Sequence, residues 1–276
     1  NGVHFKNDKQ GFLPQLMEKM YNDRVVYKKK LLKEQQKLES GDYKNKQKVI
    51  NNISTYNNIQ MSKKILLNSA YGACANQYFL YYDPNLAEAI TMSGQLSIRW
   101  IENKVNEYLN KILQTEGEDY VVASDTDSIY VKFDELVKKV EPKNPIDFLD
   151  KVASEKMEPY ITKCYEELAE YVNAYAQKME MAREVIADKG IWTAKKRYIL
   201  NVHDSEGVRY EEPQLKIMGI EAVKSSTPGP CRTKIKEVLK VIVNEDASAV
   251  NTFIQAFRKE FLVTPVEEIA FPRGVN

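Results

Sequence analysis

The segment YVVASDTDSIYVKF, residues 120–133, places a short acidic centre between two apolar flanks. The flanks are rich in β-branched and aromatic residues, which favour strands, and the centre, DTDS, is typical of a turn. We therefore predict a β-hairpin that holds the carboxylates of Asp125 and Asp127 close together at its tip. Two such carboxylates repel each other unless a cation neutralises them, and hard divalent ions accept oxygen ligands. The pattern indicates a metal-binding turn on a buried sheet, and the alternative is an ordinary solvated turn.

The composition excludes several classes of protein. The 276 residues are 43% hydrophobic and 29% charged, enough for one large domain or several small ones. No apolar run approaches the length of a membrane span, and no signal peptide opens the chain. Cys74, Cys164 and Cys231 are widely spaced and form no CxxC pattern. These features argue against a zinc site or a disulfide framework and favour a reducing compartment.

The net charge of +1 conceals an asymmetry along the chain. Residues 14–76 carry 12 Lys and Arg against 5 Asp and Glu, whereas residues 77–222 carry 18 against 27. A basic part joined to an acidic part suggests that one binds a polyanion and the other holds cations.

Two helices are predicted in the basic part. The first covers residues 14–39 and ends at the turn-forming residues 40–42, SGD. The second covers residues 47–75 and is weakened by its asparagine-rich middle. Together they predict an αα-hairpin with a basic surface, and the alternative is a solvated arm with its lysines outward.

The second helix carries a polar face in the segment KILLNSAYG. Lys64, Asn68, Tyr71 and Gly72 are spaced i, i+4, i+7 and i+8, so they share one side of the helix. A nucleoside triphosphate could use all four: the lysine for phosphate charge, the amide for a hydrogen bond, and the ring and the glycine for base and sugar. The alternative is a core tyrosine beside a surface amide.

The first helix offers two further cations. The later part of the chain is predicted to contain both helices and strands. Arg24 and Lys28 are spaced i and i+4 and can add charge to the same anion site. The later segments are predicted as acidic helices over residues 141–182, strands over 191–202 and 208–218 around a turn at 203–207, a boundary at 225–230, and amphipathic helices over 233–243 and 247–261.

Several segments resemble motifs of the family B DNA polymerases, and they occur in that family's order. Residues 64–72 are similar to its KxxxNSxYG motif, and residues 120–130 are similar to its YxDTDS motif. Residues 195–198, KKRY, resemble its primer-contact motif. LKIMGIEAVKSSTP, residues 215–228, and IENKVNEYLN, residues 101–110, resemble the branch found in tailed bacteriophages.

The resemblance implies an α+β fold with an antiparallel palm sheet covered by helices. It further implies a helical-hairpin fingers domain and a partial helical thumb. The implied boundaries are residues 1–13 and 77–222 for the palm, 14–76 for the fingers and 223–276 for the start of the thumb.

The activity implied by the resemblance is template-directed DNA synthesis. Two Mg²⁺ ions would assist nucleotidyl transfer from a dNTP to the primer 3′-hydroxyl. Asp127 and Asp125 match the catalytic, metal-binding carboxylates, and Glu184 matches a further carboxylate near the metals. The nucleotide-binding positions are Arg24, Lys28, Lys64, Asn68, Tyr71 and Gly72. The positions that match contacts to the primer strand are Ser128, Lys196 and Tyr198.

Two departures from the family pattern shape the expectation. Ala123 and Ser124 stand where the family usually has Tyr-Gly, and the DxxSLYPS motif and the exonuclease domain are absent. We therefore expect a fragment or split subunit, inactive alone, that needs a complementary polypeptide carrying both. The other expected partners are primer–template DNA, dNTP and a sliding clamp, with no membrane, in the cytoplasm of an infected bacterium.

Two other classes of protein fit part of the pattern. A haloacid-dehalogenase-type phosphotransferase also carries DxD after an apolar strand, but it expects a loop and helix after that motif. A non-catalytic nucleic-acid-binding module would use the basic helical hairpin and would leave the DTDS turn without a purpose.

Overall fold

The computed structural model describes residues 2–271. Their contacts divide them into two compact units. The first unit comprises the residues up to Glu184 together with Glu206–Val208, and the second comprises Val185–Ser205 and the residues from Arg209 onward. The predicted α+β class is confirmed, because helices predominate and the strands form small antiparallel sheets. Residue 1 of the predicted palm and residues 272–276 of the predicted thumb lie outside the described residues.

Two long antiparallel helices form the basic part of the first unit, as predicted. Helix α1 spans Phe12–Ser40 and helix α2 spans Lys46–Cys74. The second helix is not interrupted in its asparagine-rich middle, and Asn52 has a partner across the hairpin. Asn52 Nδ2 donates to Glu34 Oε2 at 3.0 Å, and Glu34 is buried between the helices. This hydrogen bond gives the buried carboxylate of Glu34 a donor, and burying a carboxylate without one would cost free energy of folding.

Helix α3, Pro84–Leu113, provides one wall of the main core. Asp83 caps its first turn by accepting hydrogen bonds from the backbone N–H groups of Asn85 and Leu86. Ile101, Val105 and Leu109 recur every fourth residue and are fully buried. The sequence predicted only the resemblance of this segment to a phage motif, not its role as the core helix.

A β-hairpin and helix α6 complete this core. The elements in chain order are β1 Val121–Asp125, β2 Ser128–Val131, α4 Asp134–Val140, α5 Pro145–Val152, a π-helical turn Ala153–Met157, and α6 Glu158–Tyr171. Buried residues of α3, β1 and α6 form one cluster, against which Ile129 and Val131 of β2 pack. The predicted helical range, residues 141–182, is helical from Pro145 to Tyr171, and its last part is wrong, since Asn173 adopts a left-handed φ of 50° that ends α6.

The second unit is built on a three-stranded sheet. Its strands are β3 Val185–Ala194, β4 Arg197–Ser205 and β5 Val208–Met218, in that order across the sheet. The prediction of one strand over residues 191–202 is wrong, because the chain reverses at Lys196, where φ is 62°. Ile199 of β4 belongs to the unit's hydrophobic core.

Helices follow the sheet of the second unit, as predicted. They are a 3₁₀ turn Glu221–Val223, α7 Gly229–Asn244, α8 Ala247–Val263 and α9 Val266–Ile269. Leu239 and Val243 of α7 pack in the same core as Ile220 and Ala222. Across residues 2–271, no helix combines the length and the apolar character needed to cross a membrane.

Candidate active site

The acidic tip of the hairpin between β1 and β2 has the predicted strand–turn–strand form. Asp125 pairs with Ser128, so Thr126 and Asp127 form the turn. The backbone N–H of Asp127 donates to the carbonyl of Asp125 at 2.7 Å, across Thr126 with a φ of 60°. A positive φ is unusual for a β-branched residue, and such strain is typically maintained at functional sites.

Two hydroxyl groups also form hydrogen bonds to Asp125, the last residue of β1. The Ser128 hydroxyl donates to the Asp125 carbonyl at 3.2 Å, and the Thr126 hydroxyl donates to the Asp125 carboxylate at 3.1 Å. Asp127 is exposed, whereas Asp125 is partly buried. The turn therefore exposes the carboxylate of Asp127 to solvent, whereas the carboxylate of Asp125 accepts a hydrogen bond within the hairpin.

The hairpin that carries Asp127 packs against the core cluster to which α6 contributes. Tyr165 of that helix is only 3% exposed, and burial is the main cause that raises the pKa of its hydroxyl. The negative charge of Asp127 raises that pKa further. The acidic tip therefore stands beside the packed core, as expected of a catalytic turn carried by a rigid scaffold.

The carboxylates fit the chemistry of a hard divalent cation only in part. Asp125 and Asp127 supply the oxygen donors that Mg²⁺ prefers. Within residues 2–271, no cluster of three or more His, Cys, Asp or Glu side chains could hold a metal ion.

The structure also shows a support for the hairpin that the sequence analysis missed. Asn110 of α3 accepts from the N–H of Glu118 at 3.0 Å and donates to the Glu118 carbonyl at 2.7 Å. The buried Tyr120 hydroxyl donates to Glu135 of α4 at 2.9 Å. These bonds join the hairpin to the helices on either side of it in sequence, and only the resemblance of residues 101–110 to a phage motif indicated that the segment mattered.

The four predicted nucleotide-binding positions of α2 lie on an accessible part of that helix. Lys64, Asn68, Tyr71 and Gly72 are all exposed, and the alternative of a core tyrosine fails because Tyr71 is 46% exposed. A Cβ atom built on Gly72 would meet nothing within 4 Å. The face is thus free of packing demands and open to a ligand.

The two predicted cations of α1 differ in their surroundings. The Nε atom of Arg24 is buried and has no hydrogen-bond partner among the described residues. Lys28 forms an ion pair with Glu206, at the tip of the turn between β4 and β5. A buried guanidinium donor without an acceptor is costly, and an anion is one acceptor that could satisfy it.

The predicted primer-contact residues Lys196 and Tyr198 lie at and beside the turn between β3 and β4, whereas Ser128 belongs to the acidic hairpin. Lys196 is exposed at that turn, and Ser128 is partly buried at the start of β2. Tyr198 is only 5% exposed, with its ring centroid 6.2 Å from that of Trp192. Its contact with DNA stays a prediction, with little surface to make it.

The turn between β3 and β4 is tightly fixed to the segment after β5. Gly219 has a φ of 66°, and a Cβ atom there would lie 2.2 Å from the carbonyl oxygen of Lys196. The Arg197 guanidinium bonds the Glu221 carboxylate at 2.6 Å. Hydrogen bonds from Lys224, from the Glu221 backbone and from Arg197 lower the pKa of Glu221 to about 2.

Glu184, predicted as a further carboxylate near the metals, is exposed at the end of the first unit. Its backbone carbonyl accepts from the N–H of Glu206 at 2.7 Å. The proposed role of its side chain near a metal stays a prediction.

The first unit thus carries an acidic hairpin tip and a basic helical hairpin. The family model described as DNA polymerase family B matches residues 1–270, and the chain belongs to this family. Divalent-metal dependence is general in that family.

Three relatives show which branch of the family is similar. The chain is 35% identical to the DNA-directed DNA polymerase of Enterobacteria phage T4 over 328 residues, covering 100% of this chain and 36% of that protein. It is 49% identical to that of Escherichia phage RB69 over 200 residues, covering 67% and 22%. It is 22% identical to the DNA polymerase of Pyramimonas orientalis virus, covering 93% and 22%. The chain thus spans about a third or less of the length of these relatives.

Proposed function

We propose that this chain supplies the nucleotide-binding surface and part of the catalytic carboxylate set for template-directed DNA synthesis. The reaction is nucleotidyl transfer from a dNTP to the primer 3′-hydroxyl. The observation that carries this proposal is the hairpin tip with Asp125 and Asp127, in a chain of the DNA polymerase B family. Residues 14–76 would act as fingers, residues 1–13 and 77–222 as palm, and residues 223–276 as the start of the thumb.

Asp127 and Asp125 would hold two Mg²⁺ ions together with a carboxylate from the DxxSLYPS motif, and Glu184 would assist nearby. When bound, the ions activate the primer hydroxyl and neutralise charge on the departing pyrophosphate. The hairpin's own contribution is rigidity, because phosphoryl transfer depends mainly on position and charge.

The cations of the helical hairpin would neutralise the incoming triphosphate. Arg24 has a buried donor that needs an acceptor, and Lys64 is exposed. Lys28 already holds a carboxylate, that of Glu206, and a phosphate would take its place. Charge-assisted bonds of this kind are the stronger class of hydrogen bond.

The remaining positions would hold the base pair and the DNA. Asn68, Tyr71 and Gly72 would line the nascent base pair on the open face of α2. Ser128, Lys196 and Tyr198 would contact or support the primer strand, mainly through phosphates. The partners would be primer–template DNA, a polypeptide with DxxSLYPS and the exonuclease, and a sliding clamp, in the bacterial cytoplasm.

Two observations weigh against the alternatives. The chain leaves the DTDS turn as strand β2, whereas a dehalogenase-type phosphotransferase expects a loop and helix there. A module that only binds nucleic acid has no need of a strained acidic turn on a packed core.

The decisive test is Asp127→Ala in the chain combined with a polypeptide that carries DxxSLYPS. We expect primer extension with Mg²⁺ and four dNTPs to be abolished, while primer–template affinity measured by fluorescence anisotropy stays nearly unchanged. Asp42→Ala, in the exposed turn between α1 and α2, is the matched control and should extend normally. Full extension by Asp127→Ala would contradict the proposal.

A further inference from the structure

Asn106 of α3 reaches the point where the chain enters the acidic hairpin. Its side-chain oxygen accepts from the backbone N–H of Tyr120 at 2.9 Å and from that of Val121 at 3.1 Å. Its side-chain nitrogen donates to the carboxylate of Asp119 at 2.9 Å. The partly buried Asn106 amide thus bonds three consecutive residues, Asp119 to Val121, at the start of β1, and the Val121 N–H is shared with the Asp119 carboxylate at 3.2 Å.

The bonds of Asn106 fall just before an irregularity in β1. The pairing of β1 with β2 shifts register between Val121 and Ala123, which is the mark of a β-bulge. Bulges redirect the side chains that follow them, and a slip of one residue moves every side chain to the opposite face. Asp125 lies four residues beyond Val121, about 13 Å along the strand. Fixing the amides of Tyr120 and Val121 therefore fixes where the carboxylate of Asp125 points.

We propose that Asn106 is a positioning residue for nucleotidyl transfer: its amide sets the register of β1 and thereby the positions of Asp125 and Asp127. The consequence for catalysis rests on the proposed function, whereas the control of register does not. Asn103 offers a matched comparison on the same helix. It is exposed, and its side chain makes no hydrogen bond within residues 2–271.

The first experiment compares the same substitution, asparagine to leucine, at Asn106 and at Asn103. In the chain alone, NMR amide resonances of residues 121–131 and hydrogen exchange at Tyr120 and Val121 report the register. Asn106→Leu should shift those resonances and speed exchange at both amides at least tenfold, whereas Asn103→Leu should match the original chain. In the complemented polymerase, Asn106→Leu should lower kcat by roughly 10- to 100-fold with the dNTP KM unchanged, as expected for misplaced catalytic groups.

A charge exchange keeps the test valid if Asn106→Leu folds poorly. Asn106→Asp alone sets one carboxylate against that of Asp119 and should reduce kcat. Asn106→Asp combined with Asp119→Asn restores a donor facing an acceptor while position 106 still accepts from Tyr120 and Val121. The double variant should recover most of the kcat and the original resonances.

Two results would overturn the proposal. One is equal behaviour of Asn106→Leu and Asn103→Leu in both resonances and kcat. The other is a folded double variant that recovers neither. If the unsubstituted chain extends no primer even when complemented, the proposed function fails, and the resonances and exchange rates still decide whether Asn106 controls the register.

Discussion

At the scale of single residues, the basic side chains near the predicted triphosphate site differ in what their charges meet. Lys63 pairs with Asp23 at 3.2 Å, and Lys28 pairs with Glu206. Lys64 is exposed, and no carboxylate of residues 2–271 forms an ion pair with it. Arg24 retains a buried donor without a partner there. Of the three cations that the motif resemblance assigned to the nucleotide, Lys28 is thus paired with a carboxylate, whereas Lys64 and the Nε atom of Arg24 have no such partner among residues 2–271.

Helical spacing predicted which residues share the face of Lys64, because the positions of side chains on one helix depend only on local geometry. The pairing of Lys28 with Glu206 could not be predicted, since 178 residues separate the two. Such a contact is set by the whole fold, and no local pattern encodes it.

Lys64→Ala and Lys63→Ala form a matched pair of adjacent substitutions. Lys64→Ala removes an open charge, so the dNTP concentration for half-maximal primer extension in the complemented polymerase should rise roughly 10- to 100-fold. Lys63→Ala removes a largely surface ion pair of small value, so it should change this concentration less than about threefold. Equal effects at both positions would show that general positive charge, not Lys64, attracts the nucleotide.

At the scale of elements, the hairpin of β1 and β2 was predictable and the hairpin of β3 and β4 was not. The first has a turn-forming DTDS between apolar flanks, so local preference and the final structure agree. The second reverses at Lys196 with a φ of 62°, a conformation for which lysine gives no signal. The turn is instead held from outside, by the close approach of Gly219 and by the bond from Arg197 to Glu221.

Gly219→Ala should therefore destabilise the second unit strongly. The substitution combines a positive φ with a Cβ atom 2.2 Å from a backbone oxygen, so we expect a loss of about 2 kcal/mol or more. Gly94→Ala in α3, where a Cβ atom meets nothing within 4 Å, is the control and should stabilise by about 1 kcal/mol. Thermal unfolding followed by circular dichroism measures both, and an unchanged midpoint for Gly219→Ala would refute the close contact.

At the scale of the whole molecule, the order of motifs predicted the family because each motif combines residue types that chemistry requires at fixed spacing. The long core helix α3 was missed, because residues 84–113 mix apolar and polar positions without a motif that names their partner. The residues of α3 that are buried can be recognised only in the folded chain, where α6 and β1 pack against them. The family was thus predictable from motifs, whereas the packing of α3 was not.

The last prediction concerns what the chain can do by itself. Asp125 and Asp127 provide two carboxylates, and the proposed metal site takes a further one from the DxxSLYPS motif. Because the reaction depends on ions held in fixed positions, the chain alone should extend no primer. Adding a polypeptide that carries DxxSLYPS should restore extension, measured with labelled primer, Mg²⁺ and four dNTPs. The same polypeptide with the motif's Asp changed to Ala should not restore it. Robust synthesis by the chain alone would mean that its own residues complete the metal site, and the assignment of an external carboxylate would be wrong.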